Sequence, residues 1–134
     1  MRAVDLGVDV NFAQRLAEDS KFPDSHFDVV AAYILHHEVS AEASEKIFAE
    51  AFRVLRPGGI YFPIDFYTGS RVPPASAYGT FQEWKDHRWN NEVWRVQYRK
   101  MDFAGSLRAA GFEVNPKGPA AWYNRNNIIA VKPA

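Results

Sequence analysis

The chain has 134 residues, enough for one compact domain and too few for two. Hydrophobic residues make up 47% and charged residues 24%, with sixteen Lys plus Arg against sixteen Asp plus Glu; this excludes a disordered chain and leaves no broad footprint for nucleic acid or an anionic membrane. The absence of cysteine excludes disulfides, thiolate metal sites and thiol nucleophiles. No apolar run approaches the roughly 18 residues that cross a bilayer, and residues 1–7 lack the basic-then-apolar build of a secretory leader. The expectation is a soluble, cytoplasmic protein.

Residues 2–6 followed by Gly7 read as the last turn of a helix with a glycine stop. Val8, Val10 and Phe12 then alternate with Asp9, Asn11 and Ala13, the period of a half-buried strand. After the turn cluster Pro23, Asp24 and Ser25, residues 27–35 are almost continuously apolar, as in a parallel-sheet strand covered on both faces. Ser40 is placed to cap a helix with Glu42 in its first turn and Ala43, Ile47, Ala51, Val54 and Leu55 along one apolar face. Arg53 and Arg56 suit its last turn, before Pro57, Gly58 and Gly59 stop it.

Residues 60–66 resume as an apolar strand that ends at Asp65, so residues 27–66 spell a βαβ unit with a right-handed crossover. Residues 67–100 change in texture, with Gly69, Pro73, Pro74 and Gly79 leading into a stretch dense in aromatic and polar groups, which reads as a lid or insertion. Asp102 caps a short helix carrying Phe103, Leu107 and Ala110, with Gly111 as its stop; residues 112–114 and 126–131 read as strands. The alternation predicts an α/β sheet in one domain over residues 1–134. Ligands of such sheets lie beyond the carboxyl ends of the strands, here residues 15–19, 33–37 and 65–68.

The run AEDSKFPDSHFDVVAAYILHH at residues 17–37, followed by EAFRVLRPGGIYF at residues 50–62, resembles the middle of a class I S-adenosylmethionine-dependent methyltransferase of the small-molecule group. The resemblance implies a Rossmann-like methyltransferase sheet with an aromatic-rich insertion after the family's fifth strand, S-adenosylmethionine as cofactor and a small-molecule acceptor. It places Leu16, Ala17 and Glu18 at the adenine, where a backbone amide donates to the ring and a carboxylate accepts from the exocyclic amine. Leu16 stands where Asp or Asn is more usual, so Glu18 accepts the amine alone. Tyr33, with Ile34 and Leu35 behind it, matches the wall near the sulfonium, where a cation is drawn to an aromatic face; a core tyrosine with a locally satisfied hydroxyl is the other reading.

His36 is either a base for an acceptor hydroxyl or a hydrogen-bonded structural histidine. Its neighbours His37 and Glu38 point in different directions, so no metal is expected. Asp65, at the rim where the family places acceptors, either orients the acceptor nucleophile or caps the following turn. Tyr67, Trp84, Trp89, Asn90 and Asn91, with Tyr78, Phe81 and Trp94, would contact the acceptor, or pack the insertion onto its own domain. Arg95, Arg99 and Lys100 read as a solvated helix face. No catalytic residue is assigned, because in-line methyl displacement depends on positioning more than on acid or base.

The family's opening strand, its glycine-rich turn and the acidic residue that grips the ribose have no counterpart, since none of the eight glycines forms a GxG element after a strand. The resemblance therefore implies an N-terminally truncated domain. The two strands in question lie between the family's third and fourth, which leaves residues 8–13 without a neighbour and bares an edge of the 27–35 strand, a template for pairing. Cofactor binding is expected to be weak or absent. The expected partner is a second copy, giving a homodimer, or a complementing chain, with no nucleic acid and no membrane. A noncatalytic oligomerisation or binding module is the alternative; a nicotinamide-binding domain is disfavoured because no GxGxxG is present.

Overall fold

A computed structural model describes residues 5–65, 76–114 and 128–134. The helix predicted after Ser40 forms as α1 (Ala41–Val54), with the Ser40 hydroxyl accepting from the Ala43 N–H at 3.1 Å. Its buried face carries Ser44, Ile47, Phe48, Ala51 and Val54. Phe48 was not on the predicted face, yet it is fully buried and stands 4.9 Å from both the His36 and Phe103 rings.

The helix stops at Val54 because the chain turns straight into β2 (Leu55–Ile64), so Arg56 lies past the last turn expected to hold it. Two glycines make that turn possible. Gly58 has φ +78°, and a Cβ on Gly59 would lie 2.8 Å from the Arg56 carbonyl oxygen and 3.2 Å from that of Asp28. Gly59→Ala is expected to cost about 1–3 kcal/mol, read as a lower urea midpoint at unchanged m-value.

β1 (Phe27–Tyr33) pairs in parallel with β2, Val29 opposite Ile60 through Tyr33 opposite Ile64. The sheet continues through β4 (Ala130–Val131) to β3 (Glu113–Val114), both antiparallel steps, in the order β1-β2-β4-β3. Between β2 and β3 lie α2 (Ala77–Trp89), α3 (Arg95–Lys100) and α4 (Phe103–Ala109). Asp102 caps α4 through the Gly105 N–H at 2.9 Å, and Gly111 ends it with φ +104°. The core between sheet and helices is built on Phe48, Leu55, Tyr61, Phe103, Leu107, Phe112 and Ile128.

Three expectations are corrected. Residues 8–13 form no strand: Val8, Val10 and Phe12 are exposed, since an alternating pattern makes a strand only when a neighbour completes its hydrogen-bond ladder. β1 is not covered on both faces. It is the edge of the sheet, as its bared side predicted, and Val29, Ala31 and Tyr33 are exposed because no described element lies over them. Arg95 is not part of a solvated face; its guanidinium is half-buried between Asp86 at 2.8 Å and Glu92 at 2.6 Å, two acids that fix the start of α3 against the end of α2.

Candidate functional site

The parallel register places the carboxyl ends of β1 and β2 side by side, at Tyr33 and Ile64. Just beyond, Ile34 adopts φ +50°, a left-handed conformation that a β-branched residue takes only when its surroundings impose it. Its N–H donates to the Ile64 carbonyl at 2.8 Å, which carries the pairing one residue past the strand. The chain then enters a short 3-10 turn, His36–Glu38.

Asp65 holds that turn. One carboxylate oxygen accepts from the backbone N–H of His36 at 2.9 Å and of His37 at 3.4 Å, and the other lies 2.8 Å from His37 Nδ1. The carboxylate is 1% exposed and the His37 ring 3%. On its other nitrogen, His37 Nε2 is 3.2 Å from the exposed Glu38 carboxylate, and the Tyr98 ring of α3 packs against the imidazole. Asp65 therefore ties the end of β2 to the loop that leaves β1, across the place where open α/β sheets bind their ligands.

His36 lies deeper. Its Nδ1 is 3.1 Å from the Ser44 hydroxyl and its Nε2 2.6 Å from the Tyr61 hydroxyl, with Phe48 and Phe103 against the ring. A neutral imidazole has one donor and one acceptor, and two hydroxyls match that need in either tautomer. Burial pushes the His36 pKa down to about 4, against the opposing pull of the Asp65 charge. Burial also holds the Tyr61 phenol well above its ordinary range.

The predicted adenine segment lies elsewhere. Leu16 and Asp19 close a tight turn, with the Asp19 N–H donating to the Leu16 carbonyl at 3.3 Å; Leu16 and Ala17 are exposed and Glu18 is half-buried. The turn is anchored from behind, where Glu50 of α1 accepts from the Ser20 N–H at 2.8 Å and from the Ser20 hydroxyl. Arg53 pairs with Glu50, and with the Ser20 bonds this holds the Glu50 carboxyl down to about 2. Between this segment, α1 and β1 runs an apolar groove of about 320 Å³, lined by Ala17, Phe22, Val29, Ala31, Ile47 and Val54 among others.

The structure thus gathers Tyr33, His36 and Asp65 at one end of the sheet, with Tyr33 71% exposed and the other two buried. Leu16, Ala17 and Glu18 sit on their own turn. Trp84 and Trp89 are exposed on α2, Asn90 caps that helix through Asp86, and Asn91 follows with φ +58°. Tyr67 lies outside the described residues. Sequence reasoning missed Ser44 and Tyr61 as partners of His36, and the Asp65 clamp on both histidines. A polar Ser on the apolar side of α1 was the one available signal. Among the described residues, no three His, Asp or Glu side chains are arranged to hold a metal, and no helix is long and apolar enough to cross a membrane.

Comparison with known proteins gives three kinds of match. A family described as a methyltransferase domain matches residues 1–59. An uncharacterized methyltransferase of Synechocystis sp. is 31% identical over 107 residues, 77% of this chain and 46% of that protein. A ubiquinone/menaquinone biosynthesis C-methyltransferase of Psychromonas ingrahamii is 34% identical over 76 residues, 55% of this chain and 30% of that protein. The chain thus spans less than half the length of either relative. The crystal structure of a candidate methyltransferase of Bacillus halodurans superposes with a TM-score of 0.65 at 18% identity, over 96% of this chain and 79% of that one, which shows a shared fold.

Proposed function

We propose that this chain, which by sequence and fold belongs to the class I S-adenosylmethionine-dependent methyltransferases, carries the acceptor-facing part of an enzyme that methylates a small molecule. The observation behind this reading is the meeting of Tyr33 with the Asp65-clamped turn at the carboxyl ends of adjacent parallel strands. Asp65 and His37 act here by positioning: they fix the loop from Ile34 to Glu38, and so set where Tyr33 stands at the rim. The relative's name points to a carbon acceptor on a quinone precursor as the first substrate class to test.

The residues present suit one side of the cofactor. In this reading the half-buried Glu18 takes the adenine amine, with the Ala17 backbone beside it, and the exposed Tyr33 offers an aromatic face to a positively charged sulfur. When bound, S-adenosylmethionine supplies an electrophilic methyl group for in-line displacement. The sequence has no glycine-rich turn for the other side. We take the open edge of β1 and the adjoining apolar groove as the place where a complementing segment, a second chain or a second copy completes the site.

Isothermal titration of this chain with S-adenosylmethionine and with its demethylated product tests both parts. No binding in the micromolar range is expected from the chain alone, with binding restored when the glycine-rich half of a relative is supplied. Micromolar binding by the chain alone refutes the need for completion. No binding even with the added half refutes the methyl-transfer reading.

A further inference from the structure

Helix α2 is built inside out. With about 100° per residue, Trp84, Arg88, Phe81, Lys85, Tyr78 and Trp89 fall within an arc of roughly 140°. All four aromatics of that arc are exposed, Tyr78 at 71% and Trp89 at 65%. The side turned to the domain is instead made of Gly79, Gln82 and Asp86; the first two are half-buried and Asp86 is buried on Arg95. A surface helix ordinarily does the reverse. The aromatics hold one another in place: Phe81 stacks on Trp84 at 6.0 Å, and Trp84 meets Trp89 edge-on at 5.4 Å.

We infer that this arc is an interfacial docking surface for an anionic lipid bilayer, on which the helix lies flat without crossing. Charge selects the partner. The only charged side chains in the arc are cations, the exposed Arg88 and the half-buried Lys85, whose ammonium lies 3.5 Å from Asp86 at the arc's inner border; neither acidic residue of α2 falls within it. Residues 66–134 carry ten Lys plus Arg against five Asp plus Glu, whereas residues 1–65 carry six against eleven. The zero net charge that argued against a membrane partner is thus an average over two halves of opposite sign.

The three segments outside the described residues, 1–4, 66–75 and 115–127, contain Arg2, Arg71, Lys117 and Arg125 and no acid, so none supplies an anion to cover the cations. Two copies meeting arc to arc would set cation against cation. Trp and Tyr have an apolar body and a polar edge that suit the headgroup boundary, and anionic headgroups complement Lys85 and Arg88. The inference does not depend on the methyl-transfer reading.

The test is co-sedimentation of the whole chain with vesicles of mixed phosphatidylserine and phosphatidylcholine, against phosphatidylcholine alone, together with tryptophan emission. At least about tenfold more protein is expected on the anionic vesicles, with a blue-shifted emission and a loss of binding as salt rises. Arg88→Glu, a surface change that leaves the fold intact, is expected to remove most of that gain, and Trp84→Ser with Trp89→Ser to remove the emission shift. The inference is overturned by no preference for the anionic vesicles, or by a preference unchanged in both variants. It is equally overturned if sedimentation velocity shows self-association that already shields the tryptophans from a soluble quencher.

Discussion

Asp65→Ala lowers the unfolding free energy by about 3–5 kcal/mol, the largest loss expected from a single polar side chain here. The carboxylate is buried and accepts from the His36 and His37 backbone N–H groups and from the His37 ring. Removing it takes the carboxylate acceptor away from two buried backbone N–H groups and the His37 ring nitrogen. The loss is large beside a total stability of about 5–15 kcal/mol for a small domain. Ile34 adds to it, because the clamp helps hold that residue in its left-handed conformation. Asp65→Asn keeps one carbonyl oxygen and should recover part of the loss. Urea unfolding of the two variants beside the parent is the measurement. An alanine variant within about 1 kcal/mol of the parent would show that the two strand ends are not tied through this side chain.

Stability falls by about 3 kcal/mol as the pH drops from 6.5 to about 4, through His36 alone. The ordinary value of 6.5 describes the unfolded chain, and burial brings the folded value to about 4. Between those limits the unfolded chain takes up a proton that the folded chain refuses, so acid draws the equilibrium toward unfolding. Above 6.5 both states are neutral and the effect vanishes; below about 4 both are charged and the loss is complete. Glu50 acts in a lower window, because a carboxyl held down to about 2 stabilises the fold above its ordinary value of 4.5 and ceases to as pH falls toward 2. His36→Phe separates the two. It lowers stability at neutral pH by orphaning the Ser44 and Tyr61 hydroxyls, and it flattens the slope between pH 6.5 and 4. A parent whose stability is level across that interval would contradict the burial of a neutral imidazole.

Much of the scaffold was legible in the order of residues, because the signals involved are local. Ser40 satisfies a donor three residues away, and Gly58 and Gly59 serve a turn that begins with their own neighbours. The βαβ unit follows from an apolar run, a helix-period face and a second apolar run, and the structure bears it out as β1, α1 and β2. The strand expected at residues 8–13 failed for the complementary reason: its pattern was right, but a strand is a property of two chains of atoms, and no described neighbour pairs with it.

The candidate site was half legible. Tyr33, His36 and Asp65 were picked out because they follow strands, and they do meet at one end of the sheet. Which of them faces solvent, and which clamps which, depended on the register of Tyr33 against Ile64, a relation across 31 residues that no window of sequence contains. The outward face of α2 was equally hidden, since composition shows that residues 77–89 are aromatic without showing which side meets the domain.

By itself, then, the sequence determined the α/β class, the capped helix, the glycine turn and the family resemblance, all of which rest on spacing within a few residues or on motif order along the chain. Only the tertiary structure decided that His36 is buried and neutral, that Asp65 joins two strand ends, that β1 is an open edge and that α2 turns its aromatics outward. Burial, register and exposure are set by what packs against a residue from elsewhere in the chain, and that neighbour is chosen when the sheet assembles.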